Sequence, residues 1–88
     1  MVYVDDMKAA YRGMIMCHMI ADTHDELLTM ASVIGVDARW IQHPNSVLEH
    51  FDICKAKRGL AVAEGAAEVS QWTLGRMINE KRKRVATA

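Results

Sequence analysis

Hydrophobic residues change rhythm along this chain, and the changes mark out its elements. Val2-Tyr3-Val4 is a short β-rich run ended by Asp5-Asp6, a strand by composition and length. From Met7 to Met14 apolar and polar residues mix, and Arg12-Gly13 marks a loop or broken turn. Met14 to Ala21 is apolar almost throughout, with His18 as its interruption, and reads as a strand covered on both faces. Thr23-His24-Asp25-Glu26 has capping-box spacing: the Thr23 hydroxyl accepts from the Glu26 amide while Glu26 reaches back to the Thr23 amide. Leu27, Met30, Ala31 and Ile34 follow at helical spacing, and Gly35 supplies the left-handed residue that closes the helix.

In the second half, Arg39-Trp40-Ile41-Gln42 predicts a short strand and His43-Pro44-Asn45-Ser46 a turn. Asp52 is placed to cap a helix from Ile53 to Glu64, with Ile53, Ala56, Leu60 and Ala63 inward and Gly65 as its stop. Ala66 to Val69 predicts a fourth strand. Ser70 then caps a terminal helix from Gln71 to about Arg84, with Leu74, Met77 and Ile78 inward. Gly75 weakens that helix by roughly 1 kcal/mol relative to alanine.

A helix–glycine–strand sequence thus occurs at Gly35 and again at Gly65, the grammar of βαβ units, whose strands lie parallel. The predicted fold is a single small α/β domain of about four mostly parallel strands with three helices. Residues 1–70 form the core, and residues 71–88 a C-terminal helix with a basic tail. The alternative is an α+β fold whose first two strands form an antiparallel hairpin.

Composition narrows the classes. The chain has 88 residues, 51% of them hydrophobic and 25% charged, which suits one small globular domain rather than a disordered tail. Eleven basic and eleven acidic residues cancel, so global charge gives no reason to expect a polyanion partner. No apolar run approaches the ~20 residues of a membrane span, and no secretory h-region opens the chain. Cys17 and Cys54 lack CxxC spacing and are too few for a disulfide framework; with seven methionines they suit a reducing, cytoplasmic setting.

In parallel α/β sheets ligands bind beyond the carboxyl ends of strands, where the next helices begin. That rule gathers Asp5, His18, Asp22, Gln42, His43, Ser70, His50 and Asp52, with Arg12, Lys55 and Arg58 near enough to meet an anion. Asp22, Thr23, Asp52 and Ser70 suit helix caps equally well, and His24 and His43 suit solvated positions. His18, His50 and Asp52 have the ligand types for zinc, manganese or iron, although no HxH, HExxH or HD spacing is present. Cys17 and Cys54 are expected to be small buried hydrophobes; a Cys17 nucleophile would need a base, and adjacent His18 points to the opposite face of a strand. Lys81-Arg82-Lys83-Arg84 reads as a solvated helix end before it reads as a phosphate-binding run, so nucleic acid is not the expected partner. Trp40 and Trp72 are expected in the core or at an interface.

Val4-Asp5, Cys17-His18-Met19, Asp22, Glu26-Leu27, Ile34-Gly35, Arg39-Trp40-Ile41-Gln42, His50-Phe51-Asp52-Ile53, Arg58, Ala61, Gly65-Ala66 and Glu68-Val69 together resemble a small bacterial and bacteriophage family. That family is catalogued as domain of unknown function 4031. The resemblance covers residues 2 to 70, with Met19 and Ile41 where the pattern has leucine and phenylalanine, and leaves the last helix outside. It implies no activity. It does imply that Asp5, His18, Asp22, Gln42, His50, Asp52 and Arg58 form a recurring polar set.

The leading expectation is a non-catalytic protein, without cofactor, that binds a small anionic, nucleotide-like ligand through Asp5, Arg12, His18, Asp22, Gln42, His50, Asp52, Lys55 and Arg58. With the phage resemblance, one use is sequestering a host nucleotide immune signal. A chain this small has little room for an enclosed pocket, so a homo-oligomer is expected. The first alternative is a phosphoester hydrolase or nuclease with one divalent metal ion on His18, His50 and Asp52. The second is an interaction module that docks on a host protein or nucleic acid through Lys81 to Arg84.

Overall fold

The computed structural model describes residues 1–87. It is an α+β domain with three helices and a mixed sheet of five strands. The strands are β1 (Val2–Val4), β2 (Ala9–Tyr11), β3 (Met14–Ala21), β4 (Phe51–Cys54) and β5 (Ala67–Glu68). The helices are α1 (His24–Ile34), α2 (Lys55–Ala63) and α3 (Gln71–Thr87), with a 3₁₀ turn at Ala38–Trp40.

The long strand β3 is the spine. One of its edges pairs with β1 and then β2, and the other with β4, all antiparallel; only β5 runs parallel to its neighbour, β1. The mostly parallel expectation is therefore corrected to a mostly antiparallel sheet. The cause is local. Arg12 (φ 49°) and Gly13 (φ 77°) both take positive φ, as a two-residue type I′ turn requires, and fold β2 straight back onto β3. A parallel partner would have needed a crossover of a dozen or more residues.

On one face of the sheet, Val2, Val4, Cys17, Met19, Phe51 and Ile53 pack beneath Leu27, Ala31 and Ile34 of α1 and Ala61 of α2. Alternation sends Met16, His18, Ile20, Asp52 and Cys54 to the opposite face. There α3 covers one end, where Ile20 and Leu74 are buried apart from the main core. Lys81 of the basic run donates to the Ala21 carbonyl, tying α3 to the end of β3.

α1 keeps its predicted cap. The Glu26 amide donates to the Thr23 hydroxyl at 3.2 Å, and Gly35 (φ 80°) closes the helix. The return limb is joined by two more bonds: besides the Thr23 amide, the Glu26 carboxylate takes the N-terminal ammonium and the Thr23 hydroxyl. Those two bonds, the ammonium's first, hold the Glu26 carboxyl below its ordinary range.

Three other expectations change. Residues 39–42 form a 3₁₀ turn and a single bridge from Gln42 to His50, not a strand. Phe51 to Cys54 extends β4, so Asp52 caps nothing: α2 begins at Lys55 behind Cys54, whose side chain makes no capping bond. Ala56, Leu60 and Ala63 are consequently exposed, and Ala61 faces the core. Trp40 and Trp72 are 61% and 81% exposed, so neither is a core residue. Among the described residues, no helix is long and apolar enough to cross a membrane.

Candidate metal centre

The ladder between β1–β2 and β3 contains a flaw that builds the site. Val4 pairs with Met19 and Ala9 with Met16, so four residues, 5–8, stand opposite two, 17 and 18. Such a bulge leaves β3 groups without a strand partner. The Asp5 side chain fills the gap: its Oδ1 accepts the backbone amides of His18 (2.8 Å) and Met7 (3.3 Å), while its Oδ2 lies 2.8 Å from His18 Nδ1. Asp5 is completely buried. Arg58 reaches from α2 to donate from Nε to the Asp5 carbonyl at 2.7 Å and from its terminal nitrogen to Glu68, pinning the bulge from below.

These contacts fix the His18 ring. A carboxylate oxygen only accepts, so Nδ1 is the donor and the Nε2 lone pair of the neutral ring faces away from Asp5. His50, which enters β4 through its bridge to Gln42, is fixed in the same sense. Its Nδ1 lies 2.8 Å from the Leu48 carbonyl, which also only accepts. Its Nε2 is left free as well.

Both free nitrogens meet one carboxylate oxygen. Asp52 Oδ1 lies 3.5 Å from His50 Nε2 and 3.8 Å from His18 Nε2. The two rings meet edge to face with centroids 5.4 Å apart. Asp52 Oδ2 is held by Gln42 Nε2 at 2.5 Å. Oδ1 is buried and has no hydrogen-bond partner among the described residues. Three lone-pair atoms therefore converge with no donor between them, and one ligand atom from each residue lies within 4.8 Å of the others. Ligands bound at 2.0–2.1 Å around a tetrahedral ion stand about 3.3 Å apart, so the two shorter separations approach a metal's coordination sphere.

Two imidazoles and a carboxylate on one side of an ion leave its other positions open. Beside Asp52 runs a groove of about 700 Å³ between the β2–β3 hairpin and the 3₁₀ turn, walled by Tyr11, Arg12, Met16 and Trp40. On the other side of the rings, a cavity of about 170 Å³ separates them from Leu74 and Ile78 of α3.

Of the residues read from the sequence, His18, His50, Asp52, Gln42 and Asp5 come together and Arg12 lines the adjoining groove. They meet on a face in mid-sheet, not at the ends of parallel strands. Asp22 is apart, at the far end of β3, where it accepts the Tyr3 hydroxyl. Arg58 is committed to Asp5 and Glu68, and Lys55 is an exposed first residue of α2 outside the groove lining. Ser70 serves as a cap, its hydroxyl accepting the Thr73 amide at 3.0 Å. Cys17 faces the core, where burial pushes its thiol up from the ordinary range. His43 stacks on the His50 ring at 6.0 Å, and His24 lies 2.7 Å from buried Glu49. Sequence reasoning missed Glu49, which also accepts the Asn45 amide and so secures the loop leading into His50. A lone glutamate beside a histidine gave no signal.

The family described as "Protein of unknown function (DUF4031)" matches residues 2–81, which carries the match into α3, past the residue 70 at which the resemblance had stopped. No curated protein and no solved structure matches the chain.

Proposed function

The chain belongs to the DUF4031 family, whose description assigns no activity, and on the geometry of its polar face we propose that it is a divalent-metal hydrolase acting on a phosphoester. His18, His50 and Asp52 hold the ion, Asp5 and the Leu48 carbonyl orient the two imidazoles, and Gln42 orients the carboxylate. The observation that carries this reading is the convergence of two imidazole lone pairs on a buried, unpartnered carboxylate oxygen. Acceptors bonded to the other ring nitrogen set the tautomer and raise the basicity of metal-binding histidines. A bound ion supplies Lewis acidity and lowers the pKa of a coordinated water. The chain's own part is to leave coordination positions open toward the groove, where Arg12 meets the anionic group.

Native mass spectrometry with metal analysis tests this first, and reads the expected homo-oligomer in the same spectrum. One zinc, manganese or iron ion per chain is expected, lost in His50→Ala. Hydrolysis of bis(p-nitrophenyl) phosphate by the loaded protein is expected to disappear in the same variant. A chain that takes up no divalent ion at micromolar concentration refutes the metal centre.

A second reading, non-catalytic sequestration of a nucleotide-like anion, has one observation in its favour. Asp52 is the single carboxylate lining the groove among the described residues, and it is engaged as a ligand, so no separate base is at hand. Metal uptake together with full recovery of unchanged ligand after overnight incubation would select this reading over turnover.

A further inference from the structure

The groove beside the metal centre carries more information than an anion site needs. Two aromatic rings stand in its walls with most of their surface open, Trp40 at 61% and Tyr11 at 55% exposure. Neither ring is needed by the core, which lies on the other face of the sheet. Each carries a cation: the Arg39 guanidinium sits 5.0 Å from the Trp40 ring centre, and that of Arg12 sits 5.3 Å from Tyr11. Gln42 joins this wall to the centre, two residues from Trp40 and bonded to Asp52.

We propose that the groove is the base-binding half of a nucleotide site, with Trp40 and Tyr11 taking the planar base and the Arg12 guanidinium and the metal centre taking the phosphate. The proposal rests on the metal reading for its phosphate half and on the two rings alone for its base half. Exposed aromatic faces recognise a flat π-system, and guanidinium groups recognise phosphate; a nucleotide offers both on one molecule. A purely apolar ligand would cover the Arg12 guanidinium without giving it an anion, and a bare phosphate would make no use of the rings. The size agrees, since about 700 Å³ lies within the range of small-molecule sites. A mononucleotide suits this surface better than a polymer, because the chain's eleven positive and eleven negative charges cancel.

Isothermal titration of the full chain, zinc-loaded and metal-free, with adenosine 5′-monophosphate and with ribose 5-phosphate tests it. Base stacking predicts roughly tenfold tighter binding of the nucleotide than of the sugar phosphate. Trp40→Ala should remove that preference without altering zinc stoichiometry or sugar-phosphate binding, and Trp40→Phe should restore most of it. Arg12→Ala should weaken both ligands alike. Equal affinity for the two ligands, a neutral Trp40→Ala, or no nucleotide binding at millimolar concentration overturns the proposal while leaving stoichiometric zinc uptake intact. A Trp40-dependent nucleotide preference in a chain that takes up no zinc overturns the metal reading and leaves the base site standing.

Discussion

Which nitrogen of His18 carries the proton is decided by Asp5, and that choice determines whether His18 can serve as the proposed metal ligand. Asp5 Oδ1 receives two backbone amides and Oδ2 faces His18 Nδ1. In Asp5→Asn the amide oxygen must take the place of Oδ1, because only an acceptor satisfies two N–H groups. The amide nitrogen is then a donor against Nδ1, and the His18 proton moves to Nε2, where it occupies the lone pair. Metal affinity is expected to fall by roughly 10- to 100-fold in this nearly isosteric variant. Competition with a chromogenic chelator measures the affinity, and two-dimensional nitrogen NMR of the imidazole reads the tautomer. Unchanged affinity in a folded variant, or a His18 ring still protonated at Nδ1, would sink the assignment. Charge alone is a separate matter: Asp22 and Arg58 are as polar as Asp5, yet one holds Tyr3 and the other braces the bulge.

The hairpin β2–β3 supplies both Tyr11 and Arg12, so the groove depends on a turn of two left-handed residues. An added Cβ on Gly13 meets nothing within 4 Å, so Gly13→Ala costs only the conformational penalty of positive φ, about 1–2 kcal/mol. Gly59 lies inside α2 with the same open surroundings, and there Gly59→Ala should stabilise by about 1 kcal/mol. Urea unfolding of the two variants should therefore move the midpoint in opposite directions, and shifts of the same sign would refute this account of the turn. The same contrast explains what was legible in the chain. α1 could be read almost to the residue because its cap, its spacing and its closing glycine are all local signals. β2 was hidden because two of its three residues, Ala9 and Ala10, have little strand propensity and every one of its residues is exposed. β4 was mistaken for a helix start because Asp52 looks like a cap when its true partners, Gln42 and the two histidines, are distant in sequence. The site residues were legible as residue types. Their meeting place was not, since it depends on β3 pairing with β4 antiparallel and putting His18 opposite Asp52.

At the scale of the whole molecule the sheet is packed unequally. α1 and α2 seal one face, while α3 covers only part of the other and leaves His18, His50 and Asp52 at its margin. An ion there would join β3 to β4 and, through Asp5, to the bulge between β1 and β2, so binding it and folding are linked. Free metal at about 100 times its Kd should add roughly 2.7 kcal/mol of stability, which for a domain of this size raises Tm by roughly 10–20 °C. His50→Ala should abolish the rise. Acid acts on the intrinsic stability of the metal-free chain through Glu26. Its folded pKa is depressed, so its contribution is present above the unfolded carboxylate value and is lost only as pH falls through the lowered one. Thermal melts of the metal-free chain from pH 7.5 down to pH 3 should accordingly keep this contribution until the pH falls below the ordinary carboxylate range. A loss of metal-free stability that begins well above the ordinary carboxylate range would refute this role for Glu26.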